Sequence, residues 1–123
     1  MPIRFQYDPV LKILIATAKG LVSLRDIETH LDEEKLERAL GHRELIDATS
    51  ATTDMTADQV RLVLERLRGL LKNGPLGPTA VVADNNSLIG LATMLAILSD
   101  LNGGPSVGVF RNYNDALNWL LRS

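Results

Sequence analysis

Apolar and polar positions along this chain change period several times, and each change marks an element. Ile3, Phe5 and Tyr7 alternate with Arg4 and Gln6, the period-2 pattern of a half-buried strand. Asp8-Pro9 supplies turn chemistry. Leu11 to Ala18 then reads as a second strand, apolar on both faces and so covered on both sides, ended by Gly20. The two strands are expected to pair as an antiparallel hairpin.

Ser23 is a good N-cap, and Leu24, Ile27 and Leu31 follow at helical spacing. The stripe then slips, because Leu36, Ala39 and Leu40 fall on a different face. This predicts a bend or restart near Asp32-Glu33-Glu34, with the acids at a new helix N-terminus. Gly41 ends the segment, and Arg43 to Ala48 is the third strand. Thr56-Ala57-Asp58-Gln59 is a capping box, and Val60, Val63, Leu64, Leu67, Leu70 and Leu71 form a continuous apolar stripe behind it. Asn73-Gly74-Pro75 stops that helix. Thr79 to Asp84 is a buried central strand, Ser87 caps a third helix from Leu88 to Leu101, and Ser106 to Phe110 is the last strand. Asn112 opens a final helix with Tyr113, Ala116, Leu117 and Leu120 on one face.

The order β-β-α-β-α-β-α-β-α predicts one α/β domain over residues 1–123, with a mixed, mostly parallel sheet opened by a β-hairpin and flanked by four helices. Thirteen basic and fifteen acidic residues balance closely, with no long block of one sign, so the basic face of a nucleic-acid binder is missing. Five aromatic side chains are too few for a base-stacking platform. The absence of cysteine excludes disulfides, thiolate metal sites and thiol nucleophiles. Met1 to Phe5 shows no basic-then-apolar signal pattern, and the longest uncharged run, Asn85 to Ser99, is shorter than the ~20 residues of a spanning helix. The expected address is the cytoplasm.

Asp47, Thr49, Ser50, Thr53, Asp54 and Thr56 crowd the exit of the third strand, where open α/β sheets dock ligands and partners. Hydroxyls beside a helix N-terminus suit a partner-docking loop, with Thr56 as the candidate phosphoacceptor. The same residues are ordinary turn and cap chemistry, and Thr56 already has a structural task in its capping box. Asp47 and Asp84 fall at strand ends and would be the carboxylates of a cation-assisted phosphate enzyme, but no lysine stands at a later strand end to complete such a site. His30 and His42 lie apart, without metal spacing or a nucleophile context. No catalytic residue, metal site or cofactor is expected.

The third helix is apolar almost all round. One face packs on the sheet; the other, with Leu91, Met94, Leu95 and Leu98, forms a homodimer interface, lines a pocket for an acyl chain or similar ligand, or is covered within the monomer.

The hairpin with Asp8-Pro9, the strand ending in Asp47 and the closing run Val109-Phe110-Arg111-Asn112-Tyr113-Asn114-Asp115-Ala116-Leu117-Asn118-Trp119-Leu120 together resemble the SpoIIAA-like branch of the STAS (sulfate transporter and anti-sigma factor antagonist) superfamily. The resemblance implies a STAS-like fold and a non-enzymatic regulatory role, binding a protein partner or a small ligand. It also implies an Asp-Ser phosphoacceptor pair at the start of the second helix. Here Asp54 is followed by Met55, and the nearest hydroxyl, Thr56, comes one position late. Lipid-transfer domains of the CRAL-TRIO type have a similar architecture, which keeps an apolar ligand as the alternative.

Overall fold

A computed structural model describes residues 2–123. Five strands form one sheet in the order β1-β2-β3-β4-β5: β1 (Ile3–Asp8), β2 (Ile13–Val22), β3 (Arg43–Thr53), β4 (Thr79–Val82) and β5 (Val107–Phe110). β1 pairs antiparallel with β2, and all other neighbours are parallel. The helices are α1 (Leu24–Ala39), α2 (Ala57–Leu71), α3 (Asn86–Leu101) and α4 (Tyr113–Arg122).

When strands follow one another across a sheet in chain order, right-handed crossovers put every connecting helix on the same face. The core obeys this rule. Ala16 and Ile46, which pair in register, pack with Ala48, Ile27 of α1 and Leu88 of α3. One residue along, Leu45 points to the opposite face and packs with Ala80, Val82 and the α4 residues Ala116 and Leu120. So α1, α2 and α3 cover one face, and α4 covers the β3–β5 part of the other. Gly108 makes room for this second layer: a Cβ there would stand 2.7 Å from the Phe110 ring and 3.2 Å from that of Trp119.

The hairpin turn works as its sequence predicts, with the Asp8 carboxylate accepting from the backbone N–H groups of Val10 and Leu11 at 2.9 and 3.0 Å. Ser23–Asp26 and Thr56–Gln59 both form reciprocal capping boxes. Several boundaries differ from expectation. β2 starts at Ile13 and runs through Gly20 to Val22, and β3 continues beyond Ala48 to Thr53. The register slips between Thr17/Asp47 and Lys19/Ser50, giving β3 one extra residue, after which the two strands pair alone beyond the end of β4. α3 begins at Asn86 and is capped by Asn85, not Ser87.

No bend interrupts α1 at Asp32-Glu33-Glu34; the helix is continuous from Leu24 to Ala39. The apolar stripe slips because the buried positions of its second half carry His30, Glu34 and Arg38, while Leu36 and Leu40 face solvent at 77% and 71% exposure.

Candidate functional site

His30, Glu34 and Arg38 recur every four residues, so α1 projects them as one row toward the sheet. Opposite them β3 presents Glu44, and β4 presents Thr79, its partner in register. All five side chains are buried. His30 Nε2 lies 3.0 Å from Glu44 Oε2 and 3.2 Å from Glu34 Oε2. Arg38 donates to Glu44 Oε1 at 2.9 Å, to the Gly77 carbonyl at 3.0 Å and to the Thr79 hydroxyl at 2.9 Å. The Gly74-to-Pro78 connector is thus a working part of the cluster, and Gly77 has no room for a side chain: a Cβ would stand 2.6 Å from the carbonyl oxygens of Gly41 and His42. Phe5 closes the other side of the imidazole edge-on, at 5.4 Å between ring centres.

The cluster is incompletely satisfied. Neither oxygen of Glu34 receives a hydrogen bond, and His30 Nδ1 and Arg38 Nε have no partner. Burial and the neighbouring Glu44 push the Glu34 carboxyl up to about 8, so it is a neutral acid at pH 7. Burial would also raise Glu44, but the neighbouring Glu34 and His30 and the charge of Arg38 bring it down to about 2. For His30 burial works against the charge, yet Glu34 and Glu44 beside it outweigh that and carry the imidazole up to about 10. At neutral pH, therefore, a cationic imidazole and a guanidinium share one carboxylate.

Next to this cluster lies a cavity of about 150 Å³. His30, Arg38, Glu44 and Thr79 form its polar end; the rest of its wall is mainly apolar, including Ile27, Ile46, Val63 and Val81, with Leu88, Leu91, Ala92 and Leu95 of α3 as one side. α3 covers the cavity while staying largely open to solvent itself. Of its 16 residues only Ser99 is buried, while Ile97 is 55% and Leu101 76% exposed.

The residues singled out from the sequence separate into two groups. Leu91 and Leu95 face the cavity, whereas Met94 and Leu98 are half-buried on α3 away from that wall. Thr49, Ser50 and Thr53 are not on a loop: they lie on β3, in the part that extends past β4. Pairing with β2 from Lys19/Ser50 to Val22/Thr53 holds them there, and Asp47 Oδ1 marks the extra residue by taking both the backbone N–H and the hydroxyl of Thr49, at 3.1 and 2.7 Å. Thr53 donates to the Val22 carbonyl at 2.6 Å. Asp54 and Thr56 follow in the short connection to α2, and Thr56 is exposed, its hydroxyl accepting from the Gln59 N–H at 3.3 Å. Among the described residues, the one group of three potential metal ligands is His30, Glu34 and Glu44, not a set around Asp47 and Asp84.

Sequence reasoning missed the buried cluster. Its signal was the four-residue spacing of His30, Glu34 and Arg38 together with apolar Leu36 and Leu40 on the opposite face. Glu44, inside a strand otherwise read for its exit, gave none.

No family model matches the sequence, nor does any curated protein. Two of the solved structures similar to it show the fold they share. One is an uncharacterized protein of the DUF3478 family with a SpoIIAA-like fold from Shewanella loihica PV-4, 20% identical, with a TM-score of 0.55 over 96% of this chain and 91% of that one. The other is the anti-sigma factor antagonist SpoIIAA in its unphosphorylated form, 16% identical, with a TM-score of 0.52 over 94% of this chain and 96% of that one. No helix among the described residues is long and apolar enough to cross a membrane. A mixed five-stranded sheet opened by an antiparallel hairpin, with four helices, gives this chain the SpoIIAA-like fold.

Proposed function

We propose that the chain is a non-enzymatic regulatory module that docks a protein partner, with a second copy of itself as the first such partner. The observation that carries this reading is α3, an apolar helix of 16 residues with one buried side chain and two large apolar side chains, Ile97 and Leu101, turned to solvent. SpoIIAA, whose fold it shares, is by its name an anti-sigma factor antagonist, which supports a regulatory role. The corner from Asp47 to Thr56 completes the proposed docking surface, with Thr49, Ser50, Thr52 and Asp54 exposed. Thr56 stands at a helix N-terminus, where an added phosphate is electrostatically favoured. Because Asp54-Met55 replaces the Asp-Ser pair, Thr56 is the hydroxyl that would carry any such modification here.

Native mass spectrometry tests the reading. A mass of twice the chain, reverting to one chain in Ile97→Glu/Leu101→Glu with an unchanged circular dichroism spectrum, is the expected result. A monomeric wild type whose solubility the double substitution does not improve would overturn it.

The cavity favours a second reading, a carrier or sensor of an apolar small molecule. About 150 Å³ matches the engineered cavities that take up benzene, but falls short of the ~300–1,000 Å³ of drug-sized ligand pockets. A lipid-sized ligand therefore requires α3 to move outward. In the same spectra, an added mass lost on denaturation would select this reading.

A further inference from the structure

We infer that His30, Glu34 and Glu44 form a binding site for one divalent transition-metal ion of the zinc class. The three side chains each offer a ligand atom, all within 4.8 Å of one another. His30 Nε2 is 3.2 and 3.0 Å from the facing carboxylate oxygens. Ligands held ~2.0–2.2 Å from a tetrahedral ion stand roughly 3.3–3.5 Å apart. His30 Nε2 therefore need move only a few tenths of an ångström from each carboxylate oxygen, while the two carboxylate oxygens, within 4.8 Å of each other, settle to the same spacing.

The hydrogen-bonding account points the same way. The single Nε2–H of His30 is placed to serve Glu44, while the fully buried Glu34 carboxyl receives no donor at either oxygen. Arg38 does not reach it either, its Nη1 standing 3.9 Å from Glu34 Oε1. On binding, Glu34 and the Nε2 of His30 give up their protons to solvent, and a cation between the three groups then serves both carboxylates at once, which the single Nε2–H does not. One imidazole with two carboxylates suits zinc, manganese or iron better than a hard cation such as calcium, which takes oxygen ligands throughout.

The surroundings are built for such a role. His30 and Glu34 sit one turn apart on a continuous helix, and Glu44 is on a central strand. Arg38 holds Glu44 Oε1 at 2.9 Å and leaves Oε2 facing His30, the orienting contact that ligating carboxylates commonly have. The Arg38 charge is itself engaged by Glu44, the Gly77 carbonyl and Thr79, which limits its repulsion of an ion. Because His30 and Glu44 also line the cavity, the remaining coordination position opens into it, available to water or to the polar end of a cavity ligand.

Both Glu34 and Glu44 are at most 1% exposed, so loading is tested through refolding. Chelator-treated full-length chain is unfolded in urea, refolded with one equivalent of Zn²⁺, desalted and weighed by native mass spectrometry. The expected result is one zinc per chain. Losing the outer partner of a ligand already weakens metal affinity by about 10–100-fold, so Glu34→Gln, which removes a ligand, should weaken it by more than ~100-fold. His30→Gln serves as the second such variant where Glu34→Gln fails to refold. His42→Ala, which removes the more exposed imidazole beside Glu37, should retain the metal. A wild type without zinc, zinc that survives Glu34→Gln with the native circular dichroism spectrum, or zinc lost in His42→Ala would each overturn the site.

Discussion

Replacing Arg38 by Met removes a charge but keeps most of the buried stem. In the structure the guanidinium makes three hydrogen bonds, to Glu44, Gly77 and Thr79, from a side chain 1% exposed. The substitution leaves Glu44 with His30 alone and deprives a buried carbonyl and a buried hydroxyl of their donor. Breaking a buried pair from one side costs ~3–5 kcal/mol, against a total stability of ~5–15 kcal/mol for a domain. For a chain of 123 residues each kcal/mol moves the unfolding midpoint by roughly 3–6 °C, so the melting temperature should fall by about 10–25 °C. Urea unfolding followed by circular dichroism, at pH 7 in chelator, measures the loss directly. Adding Glu44→Gln, in Arg38→Met/Glu44→Gln, should recover none of it, because the second change takes from the cationic His30 the carboxylate 3.0 Å away that still balances it. A loss below ~1 kcal/mol in the single variant, with an unchanged urea m-value, would refute the reasoning: the guanidinium would not be desolvated as its burial requires.

Stability should also depend on pH in an uncommon direction. Glu34, raised from 4.5 to about 8, and His30, raised from 6.5 to about 10, both bind protons more tightly when folded. Their contributions are complete below the unfolded values and are lost as pH rises, between 4.5 and about 8 for Glu34 and between 6.5 and about 10 for His30. Glu44, lowered to about 2, contributes above 4.5 and loses its share only in strong acid. The urea midpoint in chelator should therefore peak near pH 5 and decline through pH 8.5, with the unfolding free energy falling by on the order of 4 kcal/mol between pH 6 and 8, about half from each group. A midpoint flat or rising over that range would contradict the assignment. Gly77→Ala should destabilise by several kcal/mol, since its Cβ meets backbone oxygens of Gly41 and His42 at 2.6 Å, and those atoms cannot rotate away; a thermal midpoint within 2–3 °C of wild type, under ~1 kcal/mol by the same scaling, would show that the connector yields.

Much of this fold was legible because local rules and tertiary packing agree along most of the chain. The alternation in β1, the Asp8 turn, the Ser23 cap, the Thr56 capping box and the apolar faces of α2 and α4 each state their structure within a few residues. The failures share a cause. β3 outruns its predicted end because its Ser/Thr-rich half reads as loop chemistry, and only its pairing with β2 makes it a strand. Asn85 displaces Ser87 as the α3 cap by two residues that differ little in capping strength. The α1 misreading is more informative. Periodicity assumes that what faces inward is apolar, and here His30, Glu34 and Arg38 face inward because Glu44, Thr79 and the Gly77 carbonyl come to meet them from distant parts of the chain. Of the three partners that make the row tolerable, Glu44 is only six residues from Arg38 but on another element, and Gly77 and Thr79 are 39 and 41 residues away, beyond the reach of a local window.

The strand order has a consequence for how the chain acquires its structure. Each strand pairs only with its neighbours in sequence, so every addition to the sheet closes a short loop and little entropy is spent on distant encounters. A chain emerging from the ribosome can complete the hairpin, then α1 and β3, before β4 exists. At that stage Arg38 and Glu44 already face each other, six residues apart, but the guanidinium still lacks Gly77 and Thr79. The arrival of the connector and β4 is what closes the charged row away from water. A nascent domain of this topology thus waits, half-assembled, on one glycine carbonyl and one threonine.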